Sequence, residues 1–300
     1  MDLDYYRKKV VEAKERFRGY DPDIFGGEPN RHLIESTIGE DSPLGTVGVR
    51  KDIDISTTAG LMAEVDLTLL DKNASDEQVK AIATRAKDEG AKAVCVYPEH
   101  VAMVNEITAG DPPPIAVVGF PSVDDTNEMY STIEQVKMAT KNGAAEIDMV
   151  LPLSFRDVTA DYEEHFEYIN QVVKAANRPV KVILETAYLK DEQKIEASLL
   201  AKMAGAEFVK TSTGFAQKEF MLDKNGPKGA TFQDVALMRL AVGDDIGVKA
   251  SGGVRSRDDA ILMYESGASR IGASGSIDLR TKAEKVTDTR GEQSLALGVY

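Results

Sequence analysis

From residue 61 onward, short apolar runs rich in valine and isoleucine alternate with longer stretches in which apolar residues recur every three or four positions. The first kind suits strands buried on both faces and the second suits amphipathic helices, so the alternation predicts repeated βα units around a parallel sheet. Strands are expected at 61–67, 92–97, 115–120, 146–151, 180–185, 206–211, 246–250 and 269–272. Eight strands, each followed by helical sequence, predict an α/β fold of the TIM (β/α)8 barrel type rather than an open doubly wound sheet. Ser75-Asp76-Glu77, Asp124-Asp125 and Ser256 mark helix starts, and glycines at 90, 143, 205 and 267 stand just before the following strands.

Three pieces lie outside the repeat. Residues 1–60 read as a helical and irregular extension, with Leu3, Tyr6, Val10, Ala13 and Phe17 on one helical face, acting as a cap or a subunit contact. Residues 61–280 form the barrel, 216–229 lengthen the loop after the sixth strand where lids sit, and 281–300 are a polar tail.

Composition narrows the partners. The 300 residues are 42% hydrophobic and 29% charged, as in ordinary globular proteins, and the formal net charge is −14. That charge repels nucleic acid and anionic lipid, and no basic patch overrides it, so neither is an expected partner. Any phosphate site must then be built locally from backbone N–H groups and a few cations. A single cysteine, Cys95, and the absence of a long uncharged apolar run suit a reducing, cytoplasmic setting. No G-x-G-x-x-G follows the first strand, and His32, His100 and His165 are scattered without ligand spacing, so neither a dinucleotide cofactor nor a metal is expected.

In a barrel of this type the active site lies at the C-terminal strand ends. Lys210 and Lys249 end the sixth and seventh strands, and period two puts Lys210 with Ala206 and Phe208, and Lys249 with Gly247. Neighbouring strands lie about 4.8 Å apart, so two inward lysines would meet at the mouth. A like charge and desolvation both favour a neutral amine, which makes such a pair a device for Schiff-base chemistry. Asp148, inward on the fourth strand, would supply a carboxylate for proton transfer, while Glu146 one layer lower would pair with Lys181 on the fifth. The alternative for Lys210, Lys249 and Asp148 is a buried ion-pair network tying three strands together. Glycine and hydroxyl clusters after strands six, seven and eight, among them Thr211, Gly214, Gly252, Gly253, Gly272 and Ser274, look like a phosphate cradle, to which Arg255 adds a cation.

At these residues the sequence resembles the 2-deoxyribose-5-phosphate aldolase family of class I aldolases. The likeness runs through DLTLL at 66–70, AVCVYPEHV at 93–101, VVGFPS at 117–122, GAAEIDMV at 143–150, VKVILET at 180–186, EFVKTSTGF at 207–215, VKASGGVRS at 248–256 and RIGASG at 270–275. The resemblance implies that Lys210 forms the imine, Lys249 tunes it, and Asp148 relays protons. It places phosphate on Gly214, Gly252, Gly253, Arg255, Gly272 and Ser274, with Asp66, Thr68 and Cys95 near the sugar. The implied reaction is reversible cleavage of 2-deoxy-D-ribose 5-phosphate into D-glyceraldehyde 3-phosphate and acetaldehyde, without cofactor or metal. The enzymatic alternative is another Schiff-base aldolase or thiolase acting on a phosphorylated ketose. Expected partners are the phosphorylated sugar, the aldehydes and further copies of the chain in a dimer or tetramer. Two positions depart from some family members: Phe215 stands where they carry a phosphate-binding lysine, and the tail leading to Tyr300 does not match clearly.

Overall fold

The computed structural model describes residues 2–18, 37, 45, 53–120, 128–156, 162–281 and 284. Its strands are β1 (Val65–Leu69), β2 (Ala93–Val96), β3 (Pro114–Val118), β4 (Glu146–Val150), β5 (Val180–Ile183), β6 (Phe208–Lys210), β7 (Gly247–Ser251) and β8 (Arg270–Ser274). They pair in parallel in chain order, and β8 pairs back onto β1 to close the expected barrel. Every position of β2, β3 and β5 is buried, which is why these strands run apolar without alternation, Lys181 on β5 excepted.

The described helices are α1 (Leu3–Arg18), α2 (Thr58–Met62), α3 (Asp76–Glu89), α4 (Val101–Thr108), α5 (Glu128–Lys141), α6 (Tyr162–Ala176), α7 (Asp191–Met203), α8 (Phe232–Val242) and α9 (Arg257–Glu265). Ser75 starts α3 with a reciprocal cap: its hydroxyl accepts the Gln78 N–H while the Gln78 side chain accepts the Ser75 N–H. Ser256 does the same for α9 through Asp259. The start expected at Asp124-Asp125 lies outside the described residues.

The first strand begins at 65 instead of 61. Thr57 accepts the Gly60 N–H on its side chain, and this cap draws Leu61 and Met62 into the helical turn α2, where both are buried. At the other end, β8 runs past the expected 272 to Ser274, and β6 is confined to 208–210.

Helix α1 packs on the outer ring of helices against α7 and α8. Its Val10, Ala13 and Phe17 are buried as the periodicity predicts, Phe17 meeting the Tyr162 ring edge-on at 5.2 Å between centroids. Tyr6 donates to Asp191 at 2.9 Å, and Arg16 pairs with Glu196 at 2.6 Å.

The barrel interior divides in two. Cys95, Tyr97, Ile115, Val117, Val150 and Ile183 form an apolar wall on the β2–β5 side, with Phe120 packed against it. The charged residues of the mouth lie mostly on the β6–β8 and β1 side, and Asp148 and Lys181 join the two halves.

Candidate active site

The parity of β6 and β7 is fixed low in the barrel. A side chain at Gly247 would start 2.0 Å from the Phe208 ring, so the ring fills the space that the glycine leaves. Phe208 pairs with Gly247, and two residues on, Lys210 pairs with Lys249. Both lysines therefore point into the same mouth, as expected from period two. Their Nζ atoms each lie 2.8 Å from Asp148 Oδ2.

The other oxygen of Asp148 accepts from Lys181 at 2.9 Å, and Lys181 also pairs with Glu146. Glu146 faces Arg270 at 3.4 Å, Arg270 donates to Asp66 at 2.7 Å, and Asp66 lies 2.6 Å from Lys249. The contacts close a ring of alternating sign: Asp66, Lys249, Asp148, Lys181, Glu146, Arg270 and back to Asp66. Three carboxylates balance three cations. Lys210 stands outside that ring with a single carboxylate contact, although it is only 1% exposed. Beneath, the Phe208 ring offers its face to Lys181 Nζ at 5.6 Å and to the Arg270 guanidinium at 5.4 Å.

Charge states follow from this arrangement. Burial alone would push the Asp148 carboxyl up, but the charges of Lys181, Lys210 and Lys249 outweigh it and hold the group well below the usual carboxylate range. Asp66 is lowered in the same way, burial being overcome by Lys249 and Arg270. Burial opposes the Lys249 charge, yet Asp148 and Asp66 raise its ammonium above the ordinary lysine value, so it stays protonated. Burial pushes the Cys95 thiol up against two nearby lysines, leaving a neutral side chain 3.9 Å from Asp148.

The predicted residues fall into two groups. Lys210, Lys249, Asp148, Asp66 and Cys95 come together below the mouth, with Asp66 buried behind Lys249. Thr68 sits above them on β1 in register with Cys95 and Ser274, its hydroxyl donating to the Asp66 carbonyl at 3.1 Å. Gly272 belongs with this group, since a side chain there would lie 3.1 Å from Lys249 Cε and 2.9 Å from Ser251. Thr211 is spent on the scaffold: its hydroxyl donates to the Ser251 carbonyl at 2.9 Å and accepts the Ser251 N–H at 3.0 Å.

Gly214, Gly252, Gly253, Arg255 and Ser274 occupy the rim. A Cβ on Gly252, whose φ is 81°, would fall 3.0 Å from Gly229 Cα and 3.2 Å from Gly214 Cα. The long loop after β6 is anchored there, with the Ala230 N–H donating to the Ser251 and Gly252 carbonyls. Among the described residues, the N–H groups of Gly214, Gly252 and Gly253 donate to no protein acceptor, and Arg255 forms no ion pair. Phe215 is half exposed and extends an aromatic row, 6.4 Å from the Phe120 ring, which is 5.4 Å from Tyr97.

Sequence reasoning missed Arg270, the second contact of Lys181, Glu185, and two buried hydroxyls, Ser212 Oγ and Thr186 Oγ1, that have no protein partner among the described residues. Arg270 was detectable in principle, because it shares the parity of Gly272 and Ser274 on β8. Of the histidines, His165 is buried beside Phe155 and Ser154, His100 lies on a helical turn after β2, and His32 is outside the described residues, as is Tyr300. Among the described residues no group of three His, Cys, Asp or Glu could hold a metal ion, and no helix is long and apolar enough to cross a membrane.

Comparison with known proteins extends this picture. Residues 60–285 match the family described as DeoC/LacD family aldolase. A deoxyribose-phosphate aldolase of Caldanaerobacter subterraneus subsp. tengcongensis is 46% identical over 220 residues, covering 72% of this chain and 90% of that protein. One from Methanothermobacter thermautotrophicus is 38% identical over 228 residues, covering 76% and 96%. Among solved structures, a tetrameric deoxyribose phosphate aldolase from Aeropyrum pernix superposes with a TM-score of 0.63 at 28% identity, covering 73% of this chain and 88% of that one.

Proposed function

The chain belongs to the DeoC/LacD family of aldolases, and from that premise we propose that it cleaves 2-deoxy-D-ribose 5-phosphate reversibly into D-glyceraldehyde 3-phosphate and acetaldehyde, through an imine on Lys210. The observation that carries the assignment is that Lys210 hangs from a ring already balanced without it. Lys210 can therefore leave its one carboxylate for a substrate carbon without breaking the ring. Lys249 and Lys181 are each held between two carboxylates, and Lys249 stays protonated there.

Attack of the Lys210 amine on the aldehyde carbon gives a carbinolamine whose nitrogen carries no charge. The proton that the nitrogen sheds on attack passes to Asp148, 2.8 Å from Lys210 Nζ, and from Asp148 to the departing hydroxyl, which leaves as water. In the iminium that forms, the C2–C3 bond breaks toward C1, its electron pair ending as the enamine, while the C3 hydroxyl loses its proton and becomes the aldehyde of glyceraldehyde phosphate. Protonation at C2 and hydrolysis then release acetaldehyde and restore the amine. The apolar wall of Ile115, Val117, Val150 and Ile183 suits the deoxygenated end of the sugar, and the buried hydroxyls of Ser212 and Thr186 remain for its oxygens. The phosphate rests on Gly214, Gly252, Gly253, Ser274 and Arg255. Assembly into a homo-oligomer belongs to the same proposal, supported by the tetrameric Aeropyrum relative.

Reduction with borohydride in the presence of acetaldehyde, followed by peptide mapping, tests the assignment. The adduct is expected on Lys210; an adduct on Lys249 or Lys181 with Lys210 unmodified overturns it. Turnover of a ketose phosphate in place of deoxyribose phosphate would move the same lysine chemistry to a different substrate.

A further inference from the structure

Glu185 stands where the chain leaves β5, in a left-handed backbone conformation with φ 53° and ψ 62°. Any residue with a Cβ is disfavoured there, and such strain persists where the surroundings impose it. The side chain is also buried, 7% exposed, and burial pushes its carboxyl up to about 7. One residue thus carries two unfavourable features and takes no part in the ring of charges.

What Glu185 holds is a single residue of the next loop. Its two carboxylate oxygens lie 3.3 and 3.2 Å from the Thr213 nitrogen, and the Thr213 hydroxyl donates to the same carboxylate. Thr213 Oγ1 in turn accepts the Phe215 N–H at 3.0 Å. The donors on either side of Gly214 are therefore consumed, while the Gly214 N–H has no protein acceptor among the described residues. Gly214 is also the residue whose Cα approaches Gly252.

We infer that Glu185 is a positioning residue for the anion cradle: by capturing the Thr213 N–H and hydroxyl it fixes the turn 213–215 so that the Gly214 N–H is held beside Gly252 and Gly253 for the substrate's phosphate. The inference rests on the aldolase reading above and deepens it. Once ionised, above about pH 7, the carboxyl accepts both Thr213 donors and offers none that would compete for the anion. A glutamine can keep the N–H contact, but it presents its own N–H groups to the hydroxyl.

The test compares Glu185→Ala, Glu185→Gln, Thr213→Val and the double variant Glu185→Ala/Thr213→Val. KM and kcat are measured for 2-deoxyribose 5-phosphate and for unphosphorylated 2-deoxyribose, and the Kd of inorganic phosphate is measured by calorimetry. For Glu185→Ala the expectation is a rise of about tenfold in KM for the phosphorylated sugar and in phosphate Kd, with kcat within about threefold, as for lost uniform binding. The loss on the unphosphorylated sugar should be at most about threefold, Glu185→Gln should recover part of the phosphate affinity, and the double variant should be no worse than Glu185→Ala, because the two side chains act as one unit. Equal losses on both sugars, additive losses in the double variant, or an unchanged phosphate Kd would each overturn the inference. If Glu185→Ala does not fold, Glu185→Gln and Thr213→Val decide by the same readouts. If the native protein does not cleave deoxyribose phosphate, the aldolase reading fails while the phosphate Kd still judges Glu185.

Discussion

In the ring below the mouth, each of six charged side chains touches at least two of opposite sign, whereas on the rim the N–H groups of Gly214, Gly252 and Gly253 and the Arg255 side chain have no such partners among the described residues. The ring is desolvated and mutually neutralised, so its charges act at low dielectric and cannot reorganise cheaply. The unpaired rim groups, on the proposed reading, would exchange solvent for the substrate's phosphate. Under the proposed reaction the two regions would divide the work: the ring would hold the reacting amine against Asp148, and the rim would supply binding that is the same before and after the bond breaks. Substitutions in the ring should move kcat, and substitutions on the rim should move KM.

The largest effect separates the pendant lysine from the ring beneath it. Lys210→Ala should lower kcat/KM by about 10⁴-fold or more, since the other amines of the site, Lys249 and Lys181, are each held between two carboxylates. Because the ring stays balanced, the same variant should keep its Tm or gain slightly. A large loss of thermal stability would show that Lys210 is a structural member of the network.

Lys249→Leu tests the ring itself. It leaves Asp66 and Asp148 short of a buried counter-charge, a change that costs about 3–5 kcal/mol of stability in comparable sites. A loss of about 10²-fold to 10³-fold in kcat is expected with it, within the range for removal of one preorganised charge. Adding Asp66→Asn restores the balance and should return much of the lost Tm but little of the lost kcat. Recovery of both together would mean that Lys249 serves only to hold the barrel mouth closed.

How much of this was legible in the sequence depended on range. Parity within one strand is local, so Phe208 and Lys210 on β6, and Gly247 and Lys249 on β7, could be placed on inward faces directly. The pairing of Lys181 with Asp148 depends on the register between β4 and β5, which no local pattern encodes, and so Lys181 was matched only to Glu146. Arg270 opens a strand, where a charged residue reads as solvent-facing, and only closure of β8 onto β1 turns it toward Asp66. Glu185 was invisible for a different reason: its neighbours read as strand, and a positive φ at a residue other than glycine leaves no compositional trace. The first strand was misplaced because Leu61 and Met62 fit an apolar run as well as they fit a capped helical turn.

Glu185 also marks where the contrast between ring and rim can be read from stability. Its carboxyl is raised from the ordinary 4.5 to about 7, mainly by burial. Between those values the folded protein holds a proton that the unfolded chain has released, so this contribution to stability is full below pH 4.5 and is lost as pH rises through 7. The loss amounts to about 3 kcal/mol at most. Glu185→Gln carries no such titration, so the Tm of the variant relative to the native protein should rise between pH 5 and pH 8. A Tm difference that is flat over that interval would mean that the carboxyl is already ionised at pH 5.

The smallest effect belongs to the exposed cation of the rim. Arg255 contributes its own N–H to Asp259 at 3.0 Å, which anchors the backbone at the start of α9, and the residue is exposed. A charge placed there attracts a phosphate through water and ions, so its share of the binding should be about 1 kcal/mol and should shrink with salt. Arg255→Ala should therefore raise KM for deoxyribose phosphate by about threefold to tenfold at low ionic strength, leave kcat within about twofold, and differ less from the native protein at high salt. The unphosphorylated sugar is the control, and its kinetics should scarcely register the change. If kcat falls instead while KM holds, Arg255 reaches the reacting atoms and the boundary between ring and rim lies higher in the mouth than the contacts place it.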